Sequence, residues 1–128
     1  MRFEDITVVI PTYNRDRYLP AALESVFAQT YAGKIQIAVV DDGSTDTTTQ
    51  TIAPYLERGK SGRVSVVYHR QTKAGVCVAR NTALAISHNP LVAFLDSDDI
   101  WEPEKLEDRK STRLNSSHVV TSRMPSSA

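Results

Sequence analysis

The sequence predicts an α/β fold with a mostly parallel sheet and flanking helices. Three observations carry this. Four short β-branched runs recur along the first 107 residues, segments with helical spacing of apolar residues separate them, and three of the runs end in polar, loop-forming residues. Ile6, Val8, Val9 and Ile10 form the first run, a buried strand expected to stop at Pro11. After the turn-like Thr12-Tyr13-Asn14, the residues Leu19, Ala22, Leu23, Val26 and Phe27 mark an amphipathic helix running to about Gln29. Ile35, Ile37, Ala38, Val39 and Val40 make the second strand, which ends in Asp41-Asp42-Gly43-Ser44, and Ser44 or Thr45 is placed to cap a helix through about Leu56. A polar turn from Gly59 to Gly62 precedes a third strand at Val64, Val66, Val67 and Tyr68 and a helix from about Ala74 to Ser87, broken by Asn89-Pro90. Leu91 to Leu95 form the fourth strand, followed by Asp96-Ser97-Asp98-Asp99. Helices of this length between successive strands imply right-handed crossovers, and hence parallel pairing.

Composition narrows the function classes. A chain of 128 residues, 41% hydrophobic and 23% charged, suits one soluble globular domain. No apolar run approaches the roughly 18 to 20 residues that span a bilayer, and Arg2, Glu4 and Asp5 follow Met1 where a secretory leader would be apolar. No transmembrane segment and no signal peptide are therefore expected. The single Cys77 has no disulfide partner, which suits a reducing, cytoplasmic location, and His69, His88 and His118 lack zinc-ligand spacing. With 15 basic and 15 acidic side chains, the balance argues against nucleic acid as a partner.

In open α/β sheets, ligands bind beyond the carboxyl ends of the strands. Five acids, Asp41, Asp42, Asp96, Asp98 and Asp99, are expected at that edge. Crowded carboxylates repel unless a cation or a hydrogen-bonding ligand offsets their charge. Oxygen-only ligands suit Mg²⁺ or Mn²⁺, which complete their shells with water and substrate phosphates, so a nucleoside diphosphate is a fitting partner. An acidic loop can equally be a solvated turn, and Asp-x-Asp by itself leaves both readings open. The glycines at 33, 43, 59, 62 and 75 are too dispersed for a dinucleotide fingerprint or a phosphate loop, and there is no Gly-x-Ser-x-Gly elbow. Cys77 reads as a small packed hydrophobe within a helix.

Composition changes at Asp108. Residues 108–128 contain six serines and little apolar periodicity, and they hold Arg109, Lys110, Arg113 and Arg123 against Asp108, leaving 11 basic and 14 acidic side chains before them. This tail resembles a short-read sequencing adapter translated in one frame, with Val119, Val120 and Thr121 at its variable index. It is set aside as non-native, and a disordered Ser-rich tail is the alternative.

Four segments taken together carry a family resemblance: Val8 to Arg15 (VVIPTYNR), Val39 to Asp46 (VVDDGSTD), Gly75 to Asn81 (GVCVARN) and Phe94 to Asp99 (FLDSDD). In order and spacing they resemble the family 2 glycosyltransferases, whose fold is the Rossmann-like GT-A fold. Leu19, Ser25, Gln29 and Thr30, and Trp101 to Glu107, also sit where that family places similar residues, so the resemblance covers almost all of residues 3–107. It implies an inverting transferase that moves a sugar from a nucleotide-diphosphate donor, foremost a UDP-sugar, to a saccharide, lipid-linked or protein acceptor with the help of Mn²⁺ or Mg²⁺.

The resemblance also implies roles for individual residues. Pro11, Thr12 and Tyr13 would line the nucleoside pocket, with the Tyr13 ring near the base; otherwise they are a strand-ending turn. Asp42, with Asp41 beside it, would accept from a base N–H or the ribose, unless it serves as a helix N-cap. Arg80 would reach the pyrophosphate or base, unless it is a solvated helix-face arginine. Asp98 would be the direct metal ligand and Asp96 a ribose or second metal contact. Trp101 is expected to pack beneath this loop. The general base that takes the acceptor proton lies downstream of Asp-x-Asp in the family, and residues 1–107 offer no candidate. The chain is thus expected to be a truncated donor-binding part, inactive alone, with a sheet edge and a core face uncovered. In the full-length protein, location at the inner membrane face is compatible with this. Two other classes compete: a non-catalytic nucleotide-sugar or protein-binding remnant, and a phosphotransferase with an aspartyl nucleophile in Asp96-Ser97-Asp98.

Overall fold

The computed structural model describes residues 5–60, 62–87, 89, 91–107 and 119–120. Its elements run β1 (Ile6–Thr12), α1 (Leu19–Phe27), β2 (Ile35–Asp41), α2 (Thr48–Arg58), β3 (Val64–Arg70), α3 (Val76–Ile86), β4 (Leu91–Phe94) and β5 (Val119–Val120). The sheet order is β3-β2-β1-β4-β5, with parallel pairing throughout β1 to β4 and β5 antiparallel to β4. The chain moves outward from β1 to β3 and then crosses to the far side of β1, so strand order reverses between β1 and β4. That reversal opens the crevice in which α/β folds bind ligands.

Alternation along the strands separates two cores. Ile6, Val8 and Ile10 of β1, with Ile35, Ile37 and Val39 of β2, face Leu19, Leu23 and Val26 of α1 and Ile52 of α2. Val9, Val40 and Val92 face the other way, onto Ala79 and Ala83 of α3. Every residue of β1 is buried, as a central strand covered on both faces requires. Trp101 and Leu106 close the end of the first core, so Trp101 packs as expected, although its indole N–H has no partner among the described residues.

Several boundaries differ from expectation for identifiable reasons. β1 continues through Pro11, which pairs with Val40, and ends at Thr12. Pro11 shares its backbone orientation with Val9, whose carbonyl accepts from Leu95 N on the β4 side, and β4 ends before it reaches Pro11. The missing N–H therefore costs no ladder bond. α2 begins at Thr48, later than a Ser44 or Thr45 cap would place it, because both residues are engaged elsewhere. Ser44 Oγ accepts from Asn14 N (2.8 Å) and Thr45 N donates to Asn14 Oδ1 (2.8 Å), while Asp46 Oδ1 receives Thr48 N (3.0 Å) at the helix start. α3 starts at Val76, since Gly75 has φ +103°, outside helical backbone. Cys77 is exposed, contrary to its reading as a packed residue. The buried stripe of α3 runs through Ala79 and Ala83, and position 77 lies on the opposite side of the helix from Ala79.

The tail beyond Glu107 lies outside the described residues apart from Val119 and Val120, whose backbone pairs with Ala93 and Val92. The β4 edge, expected to be open, carries these two residues.

Candidate functional site

The ends of β1 and β2 are joined by side chains from both loops. Asn14 adopts φ +52°, and its side chain and backbone N–H bond the 44–45 segment. Asp16 N donates to Asp46 Oδ2 (3.2 Å), and Asp16 Oδ2 receives Thr47 N (3.1 Å). Short polar side chains at such turns replace the backbone partners that the strands can no longer supply.

Asp41 and Asp42 diverge. Asp41 is fully buried, and its carboxylate accepts from Ser44 N (2.8 Å), the Tyr68 hydroxyl and the Arg70 guanidinium (3.4 Å). It supports the loop from beneath and lines no part of the cavity above it. Asp42 holds the turn that leads into α3 rather than the helix that follows it in sequence: Oδ1 accepts from Ala74 N (2.8 Å) and Gln71 Nε2 (2.9 Å), and Oδ2 from Gly75 N (2.9 Å). Gly43 makes this approach possible. Its φ is +84°, and a Cβ there would lie 3.0 Å from the backbone N of Lys73.

Burial raises the Asp42 pKa, but the bonds from Gln71, Ala74 and Gly75 and the nearby Lys73 charge outweigh it and hold the group below its ordinary 3.8. Asp46 follows the same pattern: burial raises it, and bonds from Thr48 and Asp16 bring it below 3.8. Between the folded and unfolded pKa values the unfolded chain binds more protons, so acid favours unfolding. The stability these two groups contribute is present above 3.8 and lost as pH falls through their lower folded values. The urea midpoint is therefore expected to drop as pH is lowered below 3.8, and a midpoint that stays constant there contradicts these contacts.

Two of the cavities along the carboxyl edge adjoin each other. One, of about 240 Å³, is lined by Pro11, Thr12, Tyr13, Asp42, Lys73, Val76 and Ala79. The other, of about 270 Å³, is lined by Pro11, Tyr13, Arg15, Val76, Asp96, Ser97 and Asp98. They share Pro11, Tyr13 and Val76, so one groove leads from the Asp42 carboxylate to the acidic loop. The Thr12 hydroxyl is buried without a hydrogen-bond partner among the described residues, and Tyr13 is 37% exposed. Arg80 Nη2 stands 3.9 Å from Asp96 Oδ1 with the guanidinium over the Phe94 ring, placing this arginine at the acidic end of the groove, away from Asp42.

Asp96, Asp98 and Asp99 bring one carboxylate oxygen each within 4.8 Å of one another, and all three are exposed. Partial burial, then the charges of Asp96 and Asp98, push the Asp99 pKa above 3.8. Three mutually repelling hard oxygen donors open to water fit a divalent cation that keeps part of its water and phosphate shell.

Of the residues expected in the site, Pro11, Thr12, Tyr13 and Asp42 meet at one cavity, while Asp96, Asp98 and Arg80 meet at the other end, with Pro11 and Tyr13 bridging the two. Lys73, Arg15 and Val76 were not singled out in the sequence. Lys73 carries no local signal, because its neighbours in the site come from other strands. Val76 and Arg15 lie inside the matching motifs, but only their place in the groove gives them a role.

Residues 7–112 match the family described as Glycosyl transferase family 2, extending five residues past the composition change at Asp108. The chain is 36% identical over 109 residues to the UDP-Glc:alpha-D-GlcNAc-diphosphoundecaprenol beta-1,3-glucosyltransferase WfgD of Escherichia coli, covering 85% of this chain and 41% of that protein. TarS of S. aureus in complex with UDP-GlcNAc superimposes with a TM-score of 0.70 at 31% identity, over 85% of this chain and 31% of TarS. The mannosyltransferase PcManGT of Pyrobaculum calidifontis, in complex with GDP-Man and Mn²⁺, superimposes with a TM-score of 0.73 at 26% identity, over 87% of this chain and 32% of its own. The chain thus spans between three and just over four tenths of the length of these relatives. With the sheet order, the groove and the acidic loop in place, the match over residues 7–112 establishes that this chain has the GT-A fold and belongs to glycosyl transferase family 2.

Proposed function

We propose that the chain is the donor-binding part of a transferase that takes a sugar from a nucleotide-diphosphate sugar, foremost a UDP-sugar, and passes it with inversion to a saccharide, lipid-linked or protein acceptor. The observation that carries this reading is the continuous groove, whose two cavities share Pro11, Tyr13 and Val76 and which has Asp42 at one end and Asp96-Ser97-Asp98 at the other. A nucleoside would lie at the Asp42 end, its base against the Tyr13 ring and its N–H directed to Asp42. The diphosphate would run toward the acidic loop, where Arg15 and Arg80 supply positive charge.

Asp98 and Asp96, with Asp99 adjoining, would hold Mn²⁺ or Mg²⁺. When bound, such an ion neutralises charge on the departing nucleoside diphosphate. The complexes of TarS with UDP-GlcNAc and of PcManGT with GDP-Man and Mn²⁺ support both the donor class and the metal. We assign the general base and acceptor pocket to sequence other than residues 1–107, so that the chain alone binds donor without transferring sugar. Among the described residues no helix is long and apolar enough to cross a membrane. A cytoplasmic site of action, peripheral to the membrane when the acceptor is lipid-linked, suits this reading.

Titration calorimetry of the chain with UDP, with Mn²⁺ and then with a chelator, tests the reading. Binding in Mn²⁺ that weakens at least about tenfold on chelation is expected, since charged contacts of this kind are worth about 1.5–3 kcal/mol. Equal affinity in both conditions removes the metal from the proposal, and no binding in either removes the donor.

A further inference from the structure

Lys73 enters the groove from the segment after β3, and its surroundings are specific. Its Nζ lies 3.6 Å from the Tyr13 ring centroid and 3.7 Å from Asp42 Oδ2. The second distance is an ion pair outside hydrogen-bond range, and no described residue accepts a hydrogen bond from the ammonium. Asp42 is asymmetric in a complementary way. Oδ1 already accepts two bonds, from Gln71 and Ala74, whereas Oδ2 accepts one, from Gly75, and retains a lone pair. The backbone leading to Lys73 is held firmly: Gln71 N donates to Asp41 O (2.9 Å), and Gly43 packs against Lys73 N. A free acceptor and a free cationic donor therefore stand side by side at the wall of the cavity that Tyr13 also lines.

We propose that Lys73 is a specificity-determining residue that, paired with Asp42, selects nucleobases presenting a ring N–H beside a carbonyl. This rests on the reading of the cavity as the nucleoside end of the groove. Uracil offers N3–H between two carbonyls, so Asp42 Oδ2 receives the N–H while Lys73 donates to O4, the oxygen that cytosine replaces with an amino group. Guanine carries the same pair on its N1–H and O6 edge. Cytosine reverses the pattern: its unprotonated N3 faces a carboxylate and its amino group faces an ammonium. Both contacts become repulsive, and rejecting a mismatched partner in this way contributes as much to selectivity as the attraction does.

The test compares UDP and CDP binding in Mn²⁺ by calorimetry for the unaltered chain, Lys73→Met and Lys73→Arg. Lys73 is 57% exposed at its side chain, so these variants are expected to fold. The unaltered chain should prefer UDP. Lys73→Met should reduce the UDP to CDP preference about tenfold, through weaker UDP binding and stronger CDP binding together, and Lys73→Arg should restore most of it. If Lys73→Met weakens UDP and CDP by the same factor, the lysine serves the diphosphate and the proposal fails, although the donor reading survives. An unchanged preference overturns it equally. Failure of the unaltered chain to bind either nucleotide overturns both this proposal and the donor reading beneath it.

Discussion

Asp98→Ala is expected to abolish the Mn²⁺-dependent part of UDP binding, a loss of about tenfold or more that matches the effect of chelation, while leaving the fold intact. Asp98 is exposed and lies within 4.8 Å of two other carboxylates. Removing one of three like charges relieves repulsion, so without metal the variant should melt no lower than the unaltered chain. The difference should emerge only when Mn²⁺ and UDP are added. A ligand at 100 times its dissociation constant raises stability by about 2.7 kcal/mol, and the Mn²⁺-dependent part of that gain should vanish in the variant. Melting curves with UDP, in the presence and absence of Mn²⁺, separate the outcomes: a variant whose stability in UDP still rises when Mn²⁺ is added excludes Asp98 as a metal ligand. Asp99→Ala should lose less, because Asp99 only adjoins the Asp96-Ser97-Asp98 pair, and burial and then the charges of Asp96 and Asp98 raise its pKa above 3.8, which makes it the weaker anionic donor.

Gln29→Ala is expected to be the most damaging polar substitution in the fold, costing about 3 kcal/mol. Gln29 is 2% exposed, and its side chain makes three bonds: Nε2 donates to Ser25 O (3.1 Å) and Glu102 O (2.7 Å), and Oε1 accepts from Leu106 N (2.9 Å). Two of these tie residues 101–107 to the end of α1, and Thr30 adds a backbone bond to Pro103 O (3.0 Å). Each buried group left unpaired costs about 1–3 kcal/mol. The released segment begins two residues after Asp99, so the acidic loop loses its downstream anchor and Mn²⁺ affinity should fall along with stability. Urea denaturation and amide exchange at Leu106 measure the two effects. A midpoint within experimental error of the unaltered chain, with Leu106 still protected, contradicts this role. Gln29→Glu keeps the acceptor for Leu106 N but aims a carboxylate at two carbonyl oxygens, so it should rescue little.

Element types were legible because each has a local cause. The apolar run from Ile35 to Val40 could only be a strand buried on both faces, and the spacing of Leu19, Ala22, Leu23 and Val26 could only be a helix with one buried side. Boundaries were less legible because they depend on partners distant in sequence. Ser44 has the chemistry of a cap, yet it is taken by Asn14, thirty residues earlier. Pro11 has the chemistry of a strand breaker, but it sits where β4 has already ended. Cys77 has the composition of a core residue and lies on the outward side of α3.

What the sequence by itself determined is the order of strands and helices, the parallel sheet that follows from it, and the gathering of Tyr13, Asp42, Asp96 and Asp98 at one edge. These follow from hydrophobic periodicity and crossover handedness, which act locally. Only the tertiary structure decided how the two aspartates at the end of β2 divide their work. The parallel register that sets Asp41 opposite Arg70 brings the 71–75 segment over Asp42, so that this carboxylate anchors the turn before α3 and Lys73 stands against Tyr13. Pairings between residues about thirty or more apart depend on strand order and register, and neither is encoded in any single window of the chain.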